Sequence, residues 1–333
     1  MEQVAIPRRK CFVLLLLVGL TACGHRNGPR AQTLRVRGSD TMLILAQAWA
    51  EAYGQMNRRV AVEVSGGGSG QGIAALLEGA IDIANCSRNL KPEEAAAAQA
   101  HTGKVPQEVI VGYDALAVFV HRDNPLEEIS IAQLAEIYRV GGRLSRWSDL
   151  GVRIPAGRNR IVVVNRQSSS GTYEFFREHV LANRDFALGS LDMNGSKEVV
   201  DLIASTPGAI GYSGMAFATP VVKMLRVRRQ TGDPAFAPTL ANVLAHHYPI
   251  SRSLLIYTLG EPRAMVGEYI HWLQSPTGQQ IVADSGCPFA AGRTLPHHAA
   301  LAPTKRSGDR SADPSVRLQR HHLCPRHLRL RLS

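Results

Sequence analysis

Hydrophobic positions between residues 33 and 286 alternate between two periods. Short apolar runs at Leu34–Arg37, Val60–Val64, Ile81–Ala84, Val109–Gly112, Ala115–His121, Ile161–Val164, Ala209–Tyr212 and Ser253–Tyr257 predict strands. Between them, apolar residues three and four apart predict helices. The first lies near Met42–Met56, with Leu45, Trp49 and Tyr53 on one face. Others lie near Gly72–Glu78, after Pro92, and at Ile131–Tyr138, Tyr173–Leu181, Val199–Ile203, Arg263–Leu273 and Thr277–Asp284. Asn89 stands where it could cap the helix that Pro92 opens. Strand and helix alternating in this way predict an α/β architecture with largely parallel sheets, whose ligands sit at the carboxyl ends of strands.

Three of the strand-to-helix junctions share a composition. Leu34–Gly38 runs into Ser39-Asp40-Thr41, Val60–Val64 into Ser65–Gly70, and Ile161–Val164 into Ser168–Thr172. Each leaves the first helical N–H groups unpaired, with the positive end of the helix dipole facing outward and hydroxyl donors beside it. Three such ends brought together would form a cage for a small oxyanion. Taken singly, Ser39, Ser69 and Ser170 read first as helix caps, the commoner role of such residues; together with Arg166 they read as ligand contacts. The chemistry is binding chemistry.

The chain ends change the charge picture. Arg8, Arg9 and Lys10 followed by Cys11–Leu20 form an export signal too short to span a bilayer stably, and Leu20-Thr21-Ala22-Cys23 is similar to a bacterial lipobox. Residues 1–23 are therefore expected to be a lipoprotein signal, with Cys23 lipidated and 24–32 a polar tether. From Cys287 onward periodicity is lost, and 287–333 reads as a disordered basic tail. The tail holds nine Lys/Arg and two acids, so the formal net charge of +11 belongs mostly to the ends and implies no nucleic-acid partner. Of five cysteines, Cys86 and Cys287 could pair, or Cys86 could be a small buried apolar residue. No Cys/His spacing suggests a metal, and no cofactor is expected.

Gly38-Ser39-Asp40-Thr41, the loop Gly66–Gly70, and Arg166 followed by Ser170-Gly171-Thr172 resemble the phosphate-binding proteins of ABC-type phosphate importers, which have the type II periplasmic-binding-protein fold. Ile81–Ala84 leading to Ser87-Arg88, His121–Pro125, Gly208–Tyr212 and Tyr248–Arg252 continue the resemblance in order from Thr33 to Ser285. It implies two lobes with a ligand cleft between them, residues 33–115 plus 248–286 forming a discontinuous first lobe and 116–247 the second. It also implies inorganic phosphate as ligand, ABC permease subunits as partners, a monomer, and a periplasmic or cell-surface location. The implied phosphate-binding set is Ser39, Asp40, Thr41, Met42, Ser69, Gly70, Ser87, Arg88, Arg166, Ser170, Gly171 and Thr172. In better-studied members an Asp after the third strand accepts the proton of monohydrogen phosphate. Here Ser87 and Arg88 occupy that place, leaving Asp40 or the Ser87 oxygen as acceptor and admitting a sulfate-like ligand. Arg88 could instead pair with an acid across the lobe interface.

Other classes fit less well. Gly70-Gln71-Gly72-Ile73-Ala74-Ala75 matches a dinucleotide fingerprint, but its glycines start inside the predicted helix. The Gly-rich loop lacks the Gly-Lys-Ser/Thr of a nucleotide P-loop. No Gly-x-Ser-x-Gly elbow is present, and His101, His121 and His179 are isolated candidates for a base. A phosphatase-like hydrolase or a phosphate sensor on the same fold are the remaining alternatives.

Overall fold

A computed structural model describes residues 31–286; the signal, Cys23, Cys287 and the tail lie outside these residues. The strands are β1 (Gln32–Gly38), β2 (Val60–Ser65), β3 (Ile83–Cys86), β4 (Pro106–His121), β5 (Glu128–Ser130), β6 (Val162–Arg166), β7 (Leu191–Met193), β8 (Ala209–Gly214), β9 (Val222–Met224), β10 (Arg226–Arg228) and β11 (Ser251–Leu259). The helices are α1 (Leu43–Met56), α2 (Ser69–Leu77), α3 (Pro92–Thr102), α4 (Ile131–Tyr138), α5 (Gly171–His179), α6 (Ser196–Ser205), α7 (Leu240–Leu244), α8 (Ala264–Leu273) and α9 (Pro276–Asp284).

One curled sheet runs β2-β1-β3-β11-β4-β8-β6-β7, with β9 added on β4. Two parallel groups, β2-β1-β3 and β8-β6-β7, are joined through the antiparallel pair β11 and β4. The register Arg37↔Ser65 and Gly38↔Asn85 brings the carboxyl ends of β1, β2 and β3 to one edge. The predicted α/β class holds, but the sheet is mixed rather than largely parallel, because β4 and β11 run antiparallel to their neighbours.

The two runs read separately at Val109–Gly112 and Ala115–His121 are one strand, β4. Tyr113-Asp114 resembles a break because a carboxylate rarely sits in an apolar strand. The strand continues because Arg252, directly opposite in β11, pairs with Asp114. Up to Ala115 β4 is bonded to β11, and from Leu116 to β8. The cores divide at the same place. Leu34, Trp49, Val111, Leu254 and Tyr269 share one buried cluster, and Ile73, Leu76, Leu255 and Tyr257 a smaller one. Ala115, Val118, Tyr138, Phe176, Tyr248 and Ile250 share another, with Phe119, Val164 and Val200 in a fourth. The chain thus leaves the first pair of cores between Val111 and Ala115 and returns between Ile250 and Leu254, so Tyr248 packs with the second lobe. Asn89 does not cap α3: Lys91 is the capping residue, and its N–H donates to the Glu94 carboxylate at 2.8 Å.

Candidate functional site

The predicted junctions meet between the lobes. β1 ends at Gly38, whose φ of +144° puts a would-be Cβ 2.2 Å from the Asn85 carbonyl oxygen, so only glycine lets β1 turn here beside β3. The chain then passes through Ser39–Met42 into α1. β2 enters α2 through Gly66–Gly68, β3 passes directly into Ser87, and β6 leads through Gln167–Ser170 into α5.

Four hydroxyls from these junctions lie buried together. Thr41 and Thr172, on opposite lobes, have their Oγ1 atoms 3.0 Å apart, and Ser69 Oγ lies 3.4 Å from Ser87 Oγ while accepting the Ser87 N–H at 3.1 Å. Gly171 fits against the serine pair so closely that an added Cβ would stand 2.3 Å from Ser69 Oγ. Ser170 caps α5, its Oγ accepting the Thr172 N–H at 3.1 Å. Ser39 Oγ is buried with no hydrogen-bond partner among the described residues. Two predicted backbone donors are engaged elsewhere. The Gly70 N–H crosses to the Ser169 carbonyl at 3.0 Å, and the Met42 N–H closes a turn onto Ser39 at 3.1 Å.

The two predicted guanidiniums sit differently. Arg88 makes a two-pronged pair with Glu94 at 2.6 and 2.8 Å, an acid of its own lobe. Burial pushes the Glu94 carboxyl up, but the Arg88 and Lys91 donors outweigh it and hold it below the usual range. Arg166, 1% exposed, donates to Asp40 Oδ2 at 2.9 Å, Ser196 Oγ at 3.0 Å, and the Asn194 and Met193 carbonyls at 2.8 and 3.3 Å. Asp40 is shared, since its Oδ1 accepts the Gly67 N–H at 2.9 Å. Beside Asp40 and Ser196 a cavity of about 520 Å³ opens between the lobes, lined in part by Ile44, Gln71, Gln167, Lys197 and Phe217.

Sequence reading did not single out Asp114, Ser196 or Arg252. Arg252 donates through Nε and NH2 to Asp114 Oδ2 at 3.0 and 2.7 Å. It also donates to Thr172 Oγ1 at 3.0 Å, Thr41 Oγ1 at 3.3 Å and the Ser87 carbonyl at 3.3 Å. Burial pushes the Asp114 carboxyl up; Arg252 and the Met215 N–H pull the other way without reversing it. The signal was present as two lone charges inside apolar strands, although their partnership needs the fold.

The histidines stand apart from this cluster. His179 stacks on Phe175, and the His121 ring accepts the Asp123 N–H at 3.2 Å. Cys86, at the end of β3, is buried and has no cysteine partner among the described residues; Cys287, with which it could pair, lies outside them.

A sheet with two parallel halves, a discontinuous first lobe and a hydroxyl-lined floor between the lobes define a solute-binding protein of the two-lobed kind. The model of the PBP superfamily domain matches residues 24–277. The phosphate-binding protein PstS of Pseudomonas aeruginosa is 32% identical over 259 residues, 75% of this chain and 80% of that protein. PstS of Bacillus subtilis is 32% identical over 255 residues, covering 76% and 79% respectively. Among solved structures, a putative phosphate ABC transporter substrate-binding protein with bound phosphate from Clostridium perfringens superposes with a TM-score of 0.69 at 29% identity, over 78% of this chain and 100% of that one. The chain belongs to the PBP superfamily and, within it, to the PstS family of phosphate-binding proteins.

Proposed function

We propose that this chain is an extracytoplasmic solute-binding protein, anchored through a lipid on Cys23, that captures inorganic phosphate between its lobes and delivers it to an ABC permease as a monomer. The first lobe runs to the crossing between Val111 and Ala115 and resumes after the return between Ile250 and Leu254; the second lies between these crossings. The observation that carries the reading is the burial of Thr41, Ser69, Ser87 and Thr172, drawn from both lobes, around the start of α5. Ser170 and Gly171 complete the cage, while Ser39, Asp40, Met42 and Gly70 shape its loops. Arg88, held by Glu94, lies outside it.

A tetrahedral dianion has a heavy desolvation cost, offset only where donors surround it. Hydrogen bonds to charged groups contribute about 1.5–3 kcal/mol each, and micromolar affinity needs about 8 kcal/mol. Four hydroxyls with the α5 N-terminus and a guanidinium are enough. The arrangement supports capture rather than turnover, and the PstS relatives are binding proteins.

One observation favours a second ligand of the same shape. The carboxylates nearest the cage are engaged, Asp40 by Arg166 and Gly67, Asp114 by Arg252 and Met215. A hydroxyl at Ser87 can accept the proton of hydrogen phosphate or donate to sulfate, so a sulfate-like oxyanion is the alternative. Calorimetric titration of the refolded chain with phosphate and with sulfate tests both. Micromolar phosphate binding that Thr172→Val weakens at least tenfold is the expected result. Silence toward both ions would refute the oxyanion reading.

A further inference from the structure

We propose that the pole of the second lobe farthest from the cleft docks on a bilayer of anionic phospholipid, held by Arg146, Arg153, Arg158 and Arg160 and entered by the apolar tips Val140 and Leu188. This goes beyond the oxyanion reading and does not rest on it.

Charge singles the place out first. The formal net charge belongs mostly to the chain ends, yet residues 139–160 hold six arginines, no lysine and a single acid, Asp149. Arg139 and Arg143 share Glu136, on the last turn of α4. Asp149 is occupied by the main chain, its Oδ2 accepting the Ser145 and Arg146 N–H groups at 3.1 and 2.9 Å. Arg146, Arg153, Arg158 and Arg160 are exposed and form no ion pair among the described residues. Arg146 and Arg160 even stand opposite each other in an antiparallel bridge. Like charges so placed repel, and an anion lying over both relieves the repulsion. A guanidinium forks onto two oxygens of one phosphate, which matches the phosphodiester of a lipid headgroup.

The arginines stand on a fixed base. Trp147 among them is fully buried and donates from Nε1 to the Gly208 carbonyl at 3.1 Å. Its N–H donates to the Asn159 carbonyl at 2.8 Å, and the Ile161 N–H to the Ser145 carbonyl at 2.9 Å. The segment is thereby pinned to the amino ends of β6 and β8. Arg166 lies six residues further along β6, so at about 3.3 Å per residue the patch is about 20 Å from the cage. Contact there leaves the cleft uncovered.

The apolar tips favour a bilayer over a soluble polyanion. Val140 is 58% exposed and Leu188 wholly so. Their segments are joined, the Val140 N–H donating to the Asp185 carbonyl at 2.9 Å and the Ala187 N–H to the Tyr138 carbonyl at 2.8 Å. Arg139 and Phe186 form a bridge between the same two segments. A dissolved polyanion offers these side chains nothing. At a membrane interface they leave water beside the headgroups that hold the arginines, so the two attractions act together.

The test is hydrogen exchange on the full chain with vesicles of phosphatidylglycerol or phosphatidylcholine, because it locates the contact whatever the charged chain ends do. Phosphatidylglycerol vesicles are expected to slow exchange by about fivefold or more in residues 139–160 and 184–189, and to lose that effect at high salt. Phosphatidylcholine vesicles should leave these residues unchanged. The quadruple variant Arg146→Gln/Arg153→Gln/Arg158→Gln/Arg160→Gln should abolish the protection, and Val140→Ser/Leu188→Ser should reduce it. Both variants should keep the wild-type melting temperature and phosphate titration, since neither touches the core or the cage. A wild-type chain unprotected at this pole by phosphatidylglycerol, or a folded quadruple variant still protected there, overturns the proposal. Protection by heparin with none from vesicles also overturns it, replacing the bilayer with a soluble polyanion.

Discussion

Gly171→Ala isolates closure from folding. The added Cβ would stand 2.3 Å from Ser69 Oγ, 2.8 Å from Ser87 Oγ and 2.9 Å from Ser69 Cβ, all closer than real Cβ contacts come. All three atoms belong to the first lobe, while Gly171 opens α5 of the second. Gly171 is helical, so alanine brings no backbone strain. The strain therefore falls on the lobe contact, and α5 must withdraw by about 1 Å to reach ordinary contact. Hydrogen bonds to a shared anion lengthened by about 1 Å are effectively lost. Losing the Ser69 and Ser87 donors at about 1.5–3 kcal/mol each predicts a loss of about 3–6 kcal/mol, or roughly 10²–10⁴ in phosphate affinity. Folding stability should change by less than about 1 kcal/mol, because opening relieves the contact. Calorimetry gives the affinity and a thermal melt the stability. Gly54→Ala, in α1 with nothing within 4 Å of the new Cβ, serves as control and should raise stability by up to about 1 kcal/mol with affinity unchanged. A Gly171→Ala chain that binds phosphate within threefold of wild type would refute the closed-cage geometry.

Three further outcomes are expected. The Glu94 carboxyl lies below its unfolded value of 4.5, so its stabilisation is complete above that pH and is lost as pH falls through the folded value. Glu94→Gln should flatten that acid-side loss in pH-dependent denaturant melts and cost about 1–3 kcal/mol at neutral pH by stranding Arg88. Trp49, 1% exposed, donates from Nε1 to the Gly278 carbonyl at 2.8 Å and ties α1 to α9. Trp49→Phe should cost about 1–3 kcal/mol, a fall of roughly 3–10 °C in melting temperature, with affinity preserved. Burial pushes the Cys86 thiol well up, so in a chain where it is the sole cysteine, thiol reagents should label it only at the rate of unfolding.

What the sequence made legible follows from which interactions are local. The three junctions could be read because Gly, Ser and Thr signal a strand-to-helix turn within a few residues, and α4 was bounded correctly because Ser130 and Gln133 form a local capping box. The three-residue strands β5, β7, β9 and β10 carry too few positions for a period to show. β4 was divided at Asp114 because the residue that makes a carboxylate tolerable there lies 138 positions away. The same distance hides Arg252 from the candidate site, although Tyr248–Arg252 stands out in the sequence as a motif. The hydroxyls of the cage were legible; the charge beneath it was not.

The insertion of one lobe within the other bears on how the molecule is made. The first core is completed by Leu254, Ile256, Tyr269 and Val282, which come from the last part of the described chain. As the polypeptide is synthesised from its N-terminus, β1 to β3 and α1 wait, with apolar faces uncovered, until β11, α8 and α9 arrive. The second lobe, contiguous from Ala115 to Ile250, needs no such wait. Folding order is therefore expected to reverse sequence order, the later lobe consolidating first and presenting β4 as the edge on which β11 and then the earlier lobe assemble. A chain truncated before Ser251 should yield a folded second lobe and a first lobe prone to aggregation.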